Sequence, residues 1–324
     1  MRRWLCCAIV ASSLSHSAMA EPMRVVVTGA GGQTGGHVFR KMLARPDRFS
    51  PIGIARNEAS REALIESTGC KEDQVAVIDV ASVPGLYMEK AIAAFAGAVA
   101  LVICTSAKVK PTGATDPETG RPKMGFPDGQ PYHVDWLGQR RQIDGAKASG
   151  VKHVVLCGSM GGTDPENRLN DFGRVPGSGA GGNILLWKRR AEKYLMESGL
   201  TYTIVHPGGL INEPGGQRRL VVGVDDQLLA RSSRSVPRED VAEVLVQSLL
   251  HPDYENRSFD LVSEPPPPPS PEGSPEGSPE GGEATTDFAA LLGPLAGANC
   301  DYGLGVIPDE AADIAEADAL MSAL

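Results

Sequence analysis

No apolar run in the sequence approaches the ~18 residues that a helical membrane span requires, which excludes an integral membrane protein of that kind. Cysteine is sparse. Beyond residue 20 only Cys70, Cys104, Cys157 and Cys300 remain, widely separated, with no C-x-x-C pair and no histidine at ligand spacing. Neither a metal site nor a disulfide scaffold is therefore indicated. Cys104 and Cys157 fall in strand-like runs and read as small buried apolar residues. Positive charge is missing from one end: after Ser263 there are twelve Asp/Glu and no Lys/Arg, whereas Glu21–Val262 carries 29 basic against 28 acidic residues. A nearly neutral body with an acidic tail argues against nucleic-acid binding. Of the 25 prolines, eight lie between Pro265 and Pro279, so the proline content marks a linker rather than a fibrous fold.

The ends follow from composition. Residues 1–20, MRRWLCCAIVASSLSHSAMA, place Arg2 and Arg3 before a short apolar stretch and Ala18-Met19-Ala20 after it. This is the layout of a cleavable signal peptide, which would route the chain into the secretory pathway or to a plastid reached through it. The alternative is an extension ahead of a start at Met23. Asn256-Arg257-Ser258 is a glycosylation sequon, a triplet common by chance. Residues 263–284, with five prolines and three Ser-Pro-Glu-Gly units, read as a solvated linker. Residues 285–324 read as a flexible acidic extension with short helices at Thr286–Leu295 and Asp309–Leu324. It could dock, stay mobile or recruit a protein partner.

Between residues 23 and 262, strand-like runs alternate with helical patterns. The expected strands are Arg24–Thr28, Pro51–Ala55, Val75–Ile78, Ala98–Cys104, His153–Cys157, Tyr202–Val205 and Ser258–Leu261. Most are continuously apolar, as strands covered on both faces must be. The expected helices are Thr34–Ala44, Glu58–Thr68, Met88–Ala96, Asp135–Ser149, Leu185–Ser198 and Arg238–Leu250. Repeated βα order implies right-handed crossovers and an α/β fold of Rossmann type, a doubly wound parallel sheet with helices on both faces.

The most informative stretch is Thr28-Gly-Ala-Gly-Gly-Gln-Thr-Gly35, placed between the first strand and the first helix. Gly29 permits the tight turn, Gly32 lets a pyrophosphate approach the amides at the helix N-terminus, and Gly35 lets the helix pack close to the sheet. Thr28, Gly29, Gly31, Gly32, Gln33, Thr34 and Gly35 are thus expected to contact a dinucleotide. The second strand ends at Arg56-Asn57 with no acid for ribose hydroxyls, and Arg56 can pair with a 2′-phosphate. NADP(H) is expected, with NAD(H) as the alternative. Asp79 and Val80, after the third strand, fall near the adenine edge, where Asp79 could instead cap a turn.

These residues, together with Val134-Asp-Trp-Leu-Gly-Gln139, Gly158-Ser-Met-Gly-Gly-Thr163, Gly182-Asn-Ile-Leu-Leu-Trp-Lys-Arg189 and Val236-Pro-Arg-Glu-Asp-Val241, carry a resemblance. The chain resembles the atypical short-chain dehydrogenase/reductases, in the plant-type NAD(P)-binding branch related to NmrA-like proteins and to oxidoreductases of the chloroplast import machinery. The likeness covers roughly residues 24–262. It implies that Thr105, Ser106 and Ala107 line the nicotinamide ribose, that Ser159 meets a substrate oxygen, and that Lys188 grips the ribose. It also implies a nicotinamide-pocket turn at Pro207, Gly208 and Gly209. His206 falls where relatives often carry a basic side chain, with a structural role as open as a catalytic one.

One departure bears on mechanism. The family tyrosine should stand four residues before Lys188, one helical turn away, and that position is Ile184. Reduction needs hydride and a proton. Tyr132 and His133 are candidate substitutes, Asn183 could orient a water, and Lys188 could act through one. Two long insertions, Lys108–Tyr132 and Asp164–Gly181, follow strands that end at the cofactor and could form a substrate cover or be decoration. Two functions stay open: an NADPH-dependent oxidoreductase acting on a small carbonyl, enone or quinone-like compound, and a non-catalytic NADP(H)-binding sensor or scaffold. Sugar-nucleotide epimerisation is disfavoured because it relies on the same absent tyrosine.

Overall fold

In a computed structural model, residues 21–265 and 282–322 are described, except 83, 118 and 175–180. The leader, residues 1–20, and the Pro/Ser/Glu/Gly stretch 266–281 lie outside the described residues. β1 (Met23–Thr28), α1 (Gln33–Leu43), β2 (Phe49–Ala55), α2 (Glu58–Thr68), β3 (Val75–Val77), α3 (Pro84–Phe95) and β4 (Ala100–Ile103) form the first half. An exposed hairpin, β5 (Lys110–Thr115) and β6 (Pro122–Gly125), then precedes a π-helical turn at Tyr132–Gly138 that runs into α4 (Gln139–Ala148). β7 (His153–Cys157), α5 (Ile184–Glu197), β8 (Thr201–Pro207), β9 (Gly209–Ile211), β10 (Arg219–Gly223), β11 (Ser235–Pro237), α6 (Arg238–Gln247) and β12 (Arg257–Glu264) follow, and α7 (Glu310–Ser322) comes last.

The main sheet has the order β10-β12-β8-β7-β4-β1-β2-β3, parallel throughout except for β10 at its edge. This is the doubly wound arrangement expected of a buried βα repeat. Side-chain alternation divides the core. Val25 and Val27 face a layer containing Val38, Phe39 and Met42 of α1 and Val241, Val244 and Leu245 of α6. Val26 faces Tyr87, Ala91 and Phe95 of α3 and Ile143 of α4. Each fully buried aliphatic or aromatic side chain contributes about 1.5–3 kcal/mol relative to exposure. α2 starts where Asn57 accepts the Ser60 N–H at 2.9 Å and stops at Gly69, whose φ of +65° favours glycine.

Of the outcomes the sequence leaves open for the C-terminal segment, the structure shows docking. Residues 282–322 lie along the body as a strap: Leu291, Leu292 and Leu295 join the α1/α6 core, and α7 covers Tyr132, Trp136 and Trp187 with Leu320. Asp313 of α7 accepts the Trp136 indole N–H at 3.0 Å and pairs with Arg190 at 3.0 Å. Asp313 thus pairs with donors on the body, and Glu316 accepts the Gly181 N–H. Thr286–Leu295, expected to be a helix, contains only a short turn at Gly293–Leu295.

Candidate functional site

The chain leaves β1 through Gly29, where φ is +69° and an added Cβ would stand 2.7 Å from the Cys104 carbonyl oxygen. At Gly35 an added Cβ would stand 2.3 Å from the Gly29 carbonyl oxygen, so α1 can approach β1 only with glycine there. Gly32 caps α1 without a side-chain hydrogen bond, and the first turn holds no acid. The positive end of the helix dipole therefore stays available to an anion.

Above this loop lies a cleft of about 220 Å³. Gly29, Gly31, Gly32, Arg56, Asp79, Val80, Thr105, Ser106 and Ala107, all expected from the sequence, line it. Gln33, Thr34 and Gly35 form the first turn of α1 behind the loop, and Thr28 is buried, with its hydroxyl 3.4 Å from the Val102 carbonyl. Arg56 directly follows β2, where Asn57 is spent on capping α2 and Glu58 leans 3.8 Å from Arg61. Arg56 donates to the Asp128 carbonyl at 3.3 Å. Asp79 both lines the cleft and accepts the Ala81 N–H at 2.9 Å. The first insertion contributes Lys108, Asp128 and Gly129 to the cleft wall, while the second keeps Asn170 buried, holding the Leu185 N–H at 2.9 Å.

Lys188 is buried and pairs at 2.8 Å with Asp135, which has no exposed surface. The other Asp135 oxygen accepts the Ala107 N–H at 3.0 Å, so this pair is tied to the cleft wall. Burial pulls the Lys188 ammonium down, but the Asp135 charge and hydrogen bond more than offset it and hold its pKa above the usual lysine value. Asp135, Gln139 and Gln142, the last two bonded to Thr105, carry no assigned chemistry in the sequence reading, although the motif at residues 134–139 contains two of them. What the sequence could not supply was their convergence on Thr105 and Ala107.

Other expected residues lie elsewhere. Tyr132 packs edge-on against Trp187 at 5.1 Å beneath α7 and does not line the cleft. Burial and the facing Asp313 push its hydroxyl up to about 12, which disfavours the phenolate without presenting the proton to the cleft. Ile184 packs with Phe126 and Leu185, and Ala107 and Phe172 rest against this apolar cluster. Ser159 lies outside the main cleft and lines a second, small cavity with His206, Asp260 and Cys300. Pro207-Gly208-Gly209 connects β8 to β9, and the Gly208 N–H donates to the Leu261 carbonyl at 2.9 Å. Cys104 and Cys157 are only half-buried, and Cys104 lines the cleft.

A glycine loop at the first βα turn, an open helix N-terminus and a cleft over the carboxyl ends of parallel strands define a Rossmann-type nucleotide-binding protein. The chain belongs to the NAD(P)H-binding family, whose model matches residues 29–252. It is 43% identical over 258 residues to an uncharacterised chloroplastic protein of Arabidopsis thaliana, covering 79% of this chain and 74% of that one. It is 40% identical over 291 residues to the sanguinarine reductase of Eschscholzia californica, covering 84% and 96%. Among solved structures, a candidate NAD-dependent epimerase/dehydratase from Bacillus halodurans superposes with a TM-score of 0.55 at 23% identity, over 76% of this chain and 96% of that one, and shares the fold. The protein is therefore NAD(P)-binding and oxidoreductase-like, and no described helix is long and apolar enough to cross a membrane.

Proposed function

We propose that the protein is an NADP(H)-dependent reductase of a small carbonyl, enone or quinone-like compound. The observation that carries this reading is the cleft itself, in which Arg56 replaces the ribose-binding acid at one position and Ala107 is tied through Asp135 to Lys188 at another. The glycine loop, Arg56 and the residues after β4 would hold the dinucleotide, which supplies hydride when bound. Arg56 selects the 2′-phosphate, Lys188 holds a fixed positive charge behind the cleft wall, and Ser159 is assigned to a substrate oxygen by the family likeness. A conjugated acceptor spreads the charge delivered to it, so water can protonate its oxygen where Ile184 supplies no donor. The relative named sanguinarine reductase supports a reductase assignment. The second reading, a non-catalytic NADP(H)-binding sensor, is favoured by the apolar packing of Ile184. We also propose the plastid as the working compartment, supported by the chloroplastic relative from Arabidopsis.

The test uses the chain from residue 21 to 324, because the strap belongs to the core. NADPH should bind more tightly than NADH by fluorescence titration. Arg56→Glu should weaken NADPH by about 10–100-fold, the value of a charge-assisted contact of about 1.5–3 kcal/mol. Turnover of enones or quinones that falls in Lys188→Ala and Ser159→Ala supports the reductase. Tight NADPH binding without turnover across the panel establishes the sensor instead, and absence of NADPH binding removes both.

A further inference from the structure

Three elements distant in sequence deliver one side chain each to a buried point at the carboxyl end of the sheet. His206 comes from β8, Asp260 from β12 and Cys300 from the strap; their exposures are 4%, 1% and 7%. His206 Nδ1 lies 3.3 Å from Asp260 Oδ1 and 3.6 Å from Cys300 Sγ, and Sγ lies 3.8 Å from the same carboxylate oxygen. Bond lengths of about 2.0–2.3 Å to nitrogen, oxygen and sulfur around a tetrahedral ion require ligand atoms about 3.3–3.7 Å apart. Two of the three separations, 3.3 and 3.6 Å, fall in that range, and the third, 3.8 Å, lies just beyond it. A cavity of about 10 Å³, lined by the same three residues and by Ser159, adjoins it.

The atoms turned away from this point are also held. His206 Nε2 faces Glu192 at 3.3 Å, the carboxylate–imidazole arrangement that orients a metal-binding histidine and leaves Nδ1 for the ion. The Tyr302 hydroxyl donates to the same Glu192 oxygen at 3.2 Å, and Asp260 Oδ2 accepts the Asp226 N–H at 2.7 Å. The imidazole stands between the Glu192 and Asp260 carboxylates. A divalent cation would bind the unprotonated His206 Nδ1 and the Cys300 thiolate, so its uptake releases protons. The donor set of imidazole, carboxylate and thiolate suits zinc-type borderline ions and disfavours calcium or magnesium.

We propose that His206, Asp260 and Cys300 bind a zinc-type divalent ion that fastens the strap to the sheet, its fourth position opening on the Ser159 cavity. This inference does not depend on the nucleotide reading. The expectation from cysteine spacing, no metal site, could not register it, since Cys300 and His206 are 94 positions apart.

The full chain from residue 21 is stripped with a chelator and titrated with cobalt(II). The expected result is about one equivalent bound, with an intense near-ultraviolet thiolate-to-cobalt band that zinc displaces. Cys300→Ser should lose the band while circular dichroism shows a native fold. Glu192→Gln should keep the band and weaken the metal by about 10–100-fold, the effect of losing an outer carboxylate. The proposal is overturned if folded wild-type protein gives no thiolate band, or if Cys300→Ser gives the same band. The wild-type arm decides it even where a variant fails to fold.

Discussion

Lys188 and Asp135 show what a single residue can and cannot do at this site. A lysine with almost no exposed surface keeps its charge only because a fully buried carboxylate touches it, so it acts as a fixed cation rather than a proton source at neutral pH. His153 behaves in the opposite way. Burial alone lowers its pKa to about 4, with the ring 2.9 Å from the Thr203 hydroxyl. The unfolded chain takes up that proton near 6.5, so the folded state is fully stabilised above pH 6.5 and loses stability as pH falls toward 4. Between pH 7 and 5 the loss from this group is about 2 kcal/mol. Urea denaturation of His153→Gln at both pH values should show a drop smaller than wild type by that amount; equal drops would refute the assignment. The Lys188 position was legible from its motif, whereas its partner was not, because Asp135 belongs to a different helix 53 positions earlier and only packing selects it.

Elements were legible in proportion to their burial. β7 matches the expected His153–Cys157 because its residues are apolar on both faces, and α2 matches the expected Glu58–Thr68 because Asn57 and Gly69 bound it. β5 and β6 were missed, since their exposed residues carry no period-2 pattern, and β10 was missed as well, although Leu220, Val221 and Val222 are apolar. The π-helical turn at Tyr132–Gly138 replaces the start of the expected helix at Asp135, with Asp135 drawn inward to Lys188 and Ala107. α7 supports a direct prediction. Ending the chain at Pro308 removes Asp313 and Leu320, uncovers Trp136 and Trp187, and frees the Gly181 N–H that Glu316 holds at 2.8 Å. One apolar side chain and two charge-assisted contacts suggest a loss of about 2–4 kcal/mol. Tryptophan emission should shift to longer wavelength; unchanged emission and unchanged thermal midpoint would show that α7 contributes nothing.

At the scale of the whole molecule, two acids of the acidic end find basic partners on the body: Asp313 meets Arg190, and Glu264 at the end of β12 meets Arg219 and Arg231. Routing is a separate property, and the leader expected at residues 1–20 is open to test. A fusion of the full chain to a fluorescent protein should co-localise with plastids, and N-terminal sequencing of the recovered protein should begin beyond residue 20. Retention in the endoplasmic reticulum would instead establish the secretory reading of the leader and exclude the plastid.

The alternation of the buried strands with α1–α6, the glycine turn and the arginine after the second strand were determined by sequence alone, because periodicity and backbone permissiveness are local quantities. The tertiary structure decided which distant side chains meet: Asp135 with Lys188, the strap with the aromatic cluster, and Cys300 with His206 and Asp260. Those meetings depend on how layers pack around one sheet. Packing is a sum over the whole chain that no window of residues contains.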